Sequence, residues 1–184
     1  VGMEKVYNNP AQEYRRVIVC RPNAQFDDDI GFLPGDEKEK IAPLMRPVID
    51  NLEQILDSDE KKRYEDEDEL SDKIAEIFER GIIQTEALNF IRGRSIAKTY
   101  LIIDEAQNMT PNQVKGIITR AGQGTKIILL GDPQQIDRPF LDERTNGLSY
   151  AAKHMVDSPL CWQITLSAEE CERSSLAMDA IKRL

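Results

Sequence analysis

Histidine, tryptophan and cysteine are scarce in this 184-residue chain: one His, one Trp and three Cys. The single histidine, His154, leaves no His/Cys cluster for a zinc site, and we assign it no role. Cys20, Cys161 and Cys171 are odd in number and scattered, which argues against a disulfide framework and for a reducing, cytoplasmic setting. No apolar run approaches the ~18 residues that a membrane span needs. The first residues, Val1 to Pro10, lack the charged-then-apolar order of a secretory signal. They also lack an initiating methionine, so we expect the chain to begin inside a longer protein. A basic excess is missing too. The net charge is -9, and residues 50–72, with eleven acids and three bases, account for -8 of it. Acidity is therefore a property of one segment, and bulk charge neither announces nor excludes a nucleic-acid partner.

What is present suits one soluble globular domain with a real core: 40% hydrophobic and 31% charged residues. Val1–Tyr7 reads as the last turns of a helix closed by Asn8-Asn9-Pro10. Val17-Ile18-Val19-Cys20 is a continuous apolar run of strand length, the kind covered on both faces in a parallel sheet. Asn23 to Gly35 reads as loop. Ile41, Leu44, Met45, Val48, Ile49, Leu52, Ile55 and Leu56 form a helical stripe, in which Pro43 and Pro47 predict a kink or two shorter helices. Residues 57–69 predict an acidic, solvated excursion. Leu70, Ile74, Ile77 and Phe78 restore helical spacing, which Gly81 can end.

Further strands are predicted at Tyr100–Ile103, Ile127–Leu130 and Trp162–Leu166. Thr110-Pro111-Asn112-Gln113 has the layout of a capping box with proline at the first helical position. Val114, Ile117, Ile118 and Ala121 give that helix an apolar face before Gly122. Helices are also predicted around Leu148–Met155 and toward Leu184. Strands alternating with helices imply a mostly parallel sheet with helices on both faces. Ligands in such sheets bind beyond the carboxyl ends of the strands. Arg21, Asp104-Glu105 and Gly131-Asp132 all sit there.

An acid placed directly after four apolar strand residues is costly unless something needs its charge. Magnesium on nucleotide phosphates is such a partner, and it keeps waters between itself and the protein. Asp104 would hold that hydrated ion, and Glu105 would orient and polarise the attacking water. A polar turn at a strand end is the plainer reading. Gly131-Asp132-Pro133-Gln134-Gln135 follows the next strand, with Asp132 lying 28 residues after Asp104. That separation fits one strand–helix–strand unit, so the two strand ends would lie side by side. Gln135 could then sense a terminal phosphate; a simple Gly-Asp-Pro turn is the alternative. Arg173 could stabilise charge on a transferring phosphoryl group, or form a surface ion pair.

Leu101–Gln107 together with Leu130–Ile136 resembles motifs II and III of superfamily 1 helicases. More closely, the chain resembles the PhoH family of phosphate-starvation-inducible ATPases. The resemblance runs through Val19–Pro22, Gly31–Asp36, Ile91–Ser95, Asp104–Asn108, Ile118–Arg120, Gly131–Asp137 and Glu172–Ser174. The last stretch looks like the PhoH2 branch, in which a PIN ribonuclease domain precedes the ATPase domain. The resemblance implies an α/β, three-layer RecA-like P-loop NTPase fold over residues 1–184, with ATP and Mg2+ as cofactors. It also implies a link to RNA and a homo-oligomeric ring, with a hexamer as the candidate assembly. By position, Asp104 and Glu105 take the Walker B roles, Gln135 the motif III glutamine and Arg173 the arginine after the last strand. Gln107, Gly131, Asp132 and Arg21 complete the expected nucleotide-binding set. The family's Gly-x-x-x-x-Gly-Lys-Ser/Thr loop is absent from this sequence, and with it the backbone cradle for phosphates. We expect truncation just inside the helix that would follow that loop.

Other residues keep two readings. Arg92 and Arg94, with Lys98 nearby, could meet RNA phosphates or a neighbouring subunit's nucleotide, or form a solvated basic turn. Arg21 is a site residue or the structural partner of an acid such as Asp132. Phe32 and Leu33 could stack on bases or pack locally. The expected function is Mg2+-dependent ATP hydrolysis coupled to RNA unwinding or RNA metabolism. The alternative is a nucleotide-responsive binding or oligomerisation module without significant hydrolysis. No membrane partner is expected.

Overall fold

The computed structural model describes residues 2–7, 13–22, 37–57, 67–86, 88–91 and 96–167, with 176, 179 and 183. Two compact units make up the chain, residues 1–151 and 152–184. In the first, β1 (Arg16–Cys20), β2 (Ile83–Glu86), β3 (Thr99–Ile103) and β4 (Lys126–Leu129) form one sheet in the order β2-β1-β3-β4. Every pairing is parallel. This is the α/β, RecA-like arrangement that the resemblance implies.

The apolar runs of β1 and β3 are continuous because both faces of the sheet are covered. Alternate residues point to opposite sides. Ile18, Cys20, Leu101 and Ile103 enter one core with Met109, Val114 and Ile117. Val17 and Tyr100 enter the other with Leu52, Ile74, Ile77 and Ile83. Helix α5 (Pro111–Ile118) supplies the first face. Helices α2 (Glu37–Asp57) and α3 (Glu67–Glu79) supply the second, joined by Met3 and Val6 of α1 (Gly2–Tyr7). Short α4 (Leu88–Ile91) follows β2, and its Leu88 and Ile91 are buried in the first core. Helix α6 (Gly147–Met155) contributes Ala151 to that core.

Local signals explain several boundaries. Thr110 caps α5 with a reciprocal box: its Oγ1 accepts from Gln113 N at 3.2 Å, and Gln113 Oε1 accepts from Thr110 N at 2.7 Å. Gly81, at φ 64, takes the left-handed turn after α3 that a side chain would disfavour.

Where a kink or two shorter helices was expected, α2 is one helix across Pro43 and Pro47. Each proline removes a backbone donor, but burial of Leu52, with Val48, Ile49 and Leu56 packed beside it, holds the helix to the sheet. The fourth strand is Ile83–Glu86, not Trp162–Leu166. Residues 161–167 carry no strand, and Trp162, Ile164 and Leu166 are 83%, 86% and 73% exposed. Alternation of apolar residues is a local signal, and pairing of backbone groups rather than alternation alone makes a strand. At the ends of the expected acidic excursion, Asp57 closes α2 and residues 67–69 belong to α3. Residues 58–66 lie outside the described residues, as do 23–36 with Phe32 and Leu33. Of the last helix, residues 176, 179 and 183 are described and are helical.

Candidate functional site

The register sets the site. Cys20 pairs with Ile103, and Ile103 with Leu129, so β1, β3 and β4 end level with one another. Arg21, Asp104 and the Leu130–Asp132 segment therefore emerge along one rim. Backbone bonds lock the exits: Asp104 N donates to Cys20 O at 3.0 Å, Leu130 N to Ile103 O at 2.8 Å and Ala106 N to Leu130 O at 2.8 Å.

Beyond β3 the chain turns sharply. Glu105 adopts φ 54 and ψ 38, the left-handed region, and residues 106–108 form one 3-10 turn. For a residue with a side chain that conformation costs about 1–2 kcal/mol. Strain of this kind persists where surrounding structure over-determines it, often at functional sites. Here the Glu105 carboxylate is gripped from two sides. Arg21 Nη2 donates to Oε1 at 2.6 Å, and Gln107 Nε2 donates to Oε2 at 2.6 Å. Burial pushes the Glu105 carboxyl up, and the charge of Asp132 adds to that. The bonds from Gln107 and Arg21, with the Arg21 charge, outweigh both and hold it below the usual carboxylate range.

Asp104 differs. Its side chain is 45% exposed and meets Arg21 Nε only at 3.7 Å. Arg21 thus pairs with the two β3 acids and not with Asp132, the partner considered from sequence. Asp104 is a single, accessible carboxylate, and no group of three acid, His or Cys ligands occurs among the described residues. Such a donor suits a magnesium ion that keeps most of its waters, and would not suit a dry protein cage.

Gln107 is fully buried at 0% exposure. Besides Glu105, its Nε2 donates to Gln135 O at 2.8 Å, while its Oε1 accepts from Asp132 N at 3.3 Å. The amide orientation follows from chemistry, because a carboxylate and a carbonyl both require the donor. Asp132 and Gln135 form a local ring: Gln135 Nε2 donates to Asp132 Oδ2 at 2.7 Å, and Gln134 N to Oδ1 at 2.9 Å. Gly131 sits where an added Cβ would come within 2.2 Å of Gln107 Oε1.

The structure brings Arg21, Asp104, Glu105, Gln107, Gly131, Asp132 and Gln135 to this rim. Arg92, Arg94 and Arg173 lie outside the described residues. Sequence reasoning missed a second buried amide. Asn108, 3% exposed, accepts from Asp137 N at 2.8 Å and Arg138 N at 3.3 Å. Arg138 in turn donates to Gln113 Oε1 at 3.1 Å. The available signal was the pair Gln107-Asn108 flanked by apolar Ala106 and Met109, which are both buried.

Known proteins resemble this chain over most of its length. The family model described as PhoH-like protein matches residues 4–184. The chain is 45% identical over 164 residues to Protein PhoH2 of Bacillus subtilis, covering 89% of this chain and 35% of that protein. It is 42% identical over 125 residues to a PhoH-like protein of the same organism, covering 68% and 35%. Against Protein PhoH of Escherichia coli it is 35% identical over 161 residues, covering 88% and 42%. The chain therefore spans well under half the length of these relatives. No described helix is long and apolar enough to cross a membrane.

Proposed function

The chain belongs to the PhoH-like family, of P-loop NTPase type, and from that premise we propose that it carries the magnesium- and water-handling half of an ATP-hydrolysing core. The observation that carries the reading is the rim itself. One accessible acid, Asp104, stands beside a second, Glu105, which is kept ionised and fixed by Arg21 and Gln107. Asp104 would hold hydrated Mg2+, whose charge supplies electrostatic stabilisation of the phosphates when bound. Glu105 accepts a proton from the attacking water. Gln135 senses the terminal phosphate, and Arg21 offsets the charge of the two acids in the resting site. Arg173 is proposed to stabilise the transferring phosphoryl group.

The decisive test is Glu105→Gln in the complete protein. Turnover should fall by roughly 10²–10⁴-fold, the usual worth of a general base, while ATP binding persists. Hydrolysis at the unaltered rate would remove Glu105 from the mechanism. Coupling to RNA is part of the same proposal, with Arg92 and Arg94 as contacts. Filter binding across a salt series tests it: affinity should fall steeply as salt rises, and no binding at low salt removes RNA from the account. Assembly into a homo-oligomeric ring is proposed as well, and sedimentation of the complete protein with and without ATP decides it.

A further inference from the structure

We propose that Gln107 is a positioning residue that couples the backbone of the 131–135 loop to the Glu105 carboxylate; this rests on the ATPase reading above. One planar amide spans three places. Its Nε2 faces Glu105 Oε2 at 2.6 Å and Gln135 O at 2.8 Å, and its Oε1 faces Asp132 N at 3.3 Å. Because the amide turns as a unit, a shift of the loop backbone moves the donor that orients Glu105. Gln135 lies on the loop side of this joint. Displacement of its backbone therefore reaches the acid through a single side chain. Being 0% exposed, Gln107 works from behind Glu105 rather than from the open rim.

Gly131 gives independent support. It is not in the left-handed region, so backbone conformation does not demand glycine there. Space does. A Cβ would stand 2.2 Å from Gln107 Oε1, 3.1 Å from Ala106 N and 3.2 Å from Gln107 N. The end of a glutamine can usually swing aside at little cost. Here that swing breaks the bonds to Glu105, Gln135 and Asp132 together. Gly131 keeps the coupling amide in place.

The test is steady-state ATP turnover by the complete protein carrying Gln107→Ala, Gly131→Ala or both, with melting temperatures measured alongside. Gln107→Ala should lower kcat by about 10–100-fold, as loss of a supporting partner does elsewhere, with KM for ATP within about twofold. Gly131→Ala should lower kcat in the same direction by less. The double variant should be no slower than Gln107→Ala alone, because the glycine acts through the glutamine. Unchanged kcat in both single variants overturns the inference. So do additive losses, or a KM rise that matches the kcat loss and tracks a fallen melting temperature. If Gln107→Ala does not fold, Gly131→Ala decides: a lower kcat at an unchanged melting temperature supports the coupling, and an unchanged kcat overturns it. Absence of turnover in the unaltered protein overturns the ATPase reading and this inference with it, whereas turnover that survives both variants sinks this inference alone.

Discussion

Two strands of this sheet run into an acid and, three residues on, a glutamine: Asp104 to Gln107 after β3, and Asp132 to Gln135 after β4. The two segments are built differently. After β3 the turn is strained at Glu105, and its amides, Gln107 and Asn108, are buried. After β4 the segment is largely exposed, and its glutamine closes a ring on its own acid. The buried amides of the first hold the backbone of the second at Asp132, Gln135, Asp137 and Arg138. One segment is a platform and the other is carried by it. An acid–glutamine spacing that looks alike in sequence thus divides into a platform of buried amides and an exposed loop held by it.

Removing a platform amide should have the largest effect on stability. Asn108→Ala strips the acceptor from two backbone N–H groups, and urea unfolding should show a loss of about 1–3 kcal/mol. Amide exchange at Asp137 and Arg138 should quicken with it. A change near zero would mean that the carried loop does not depend on the platform. Thr110→Ala removes the cap of the helix that follows the platform, with an expected loss of about 1 kcal/mol in the same assay. On the carried side, Gln135→Ala breaks only an exposed ring, so stability should stay within about 0.5 kcal/mol. A larger loss there would erase the distinction between the two segments.

The smallest effect belongs to pH and lies further along the carried side. Asp142 accepts from the N–H groups of Arg144 and Thr145 at 2.7 and 2.8 Å. Those bonds lower its pKa from the ordinary 3.8. A lowered folded-state value contributes stability above the unfolded pKa, which is lost as pH falls through the folded one. The stability difference between the unaltered protein and Asp142→Asn should therefore shrink on acidification below the ordinary carboxylate range. A difference that holds constant through that range would show that the bonds do not favour the charged form. Because this side chain is solvent-exposed, the change should be slight.

How much of this was legible in sequence follows from the range of the interactions. Strands β1 and β3 were readable because four apolar residues in a row need cover on both faces. Arg21 after β1 and the two acids after β3 stood out by contrast with what preceded them. Strand β2, Ile83-Gln84-Thr85-Glu86, was not readable, since one buried apolar residue at the sheet edge leaves no pattern. Trp162–Leu166 has the pattern and carries no strand, so local periodicity misled there. The roles of Gln107 and Asn108 depend on backbone atoms 25 to 30 residues away. Nothing in their immediate sequence identifies those partners.

The most direct test of the account is a crystal structure of the complete protein with Mg2+ and an ATP analogue that is not hydrolysed. The account predicts the hydrated metal at Asp104, with the terminal phosphate facing Glu105 and Gln135. A nucleotide seated away from this rim, with Glu105 still enclosed by Arg21 and Gln107, would contradict it.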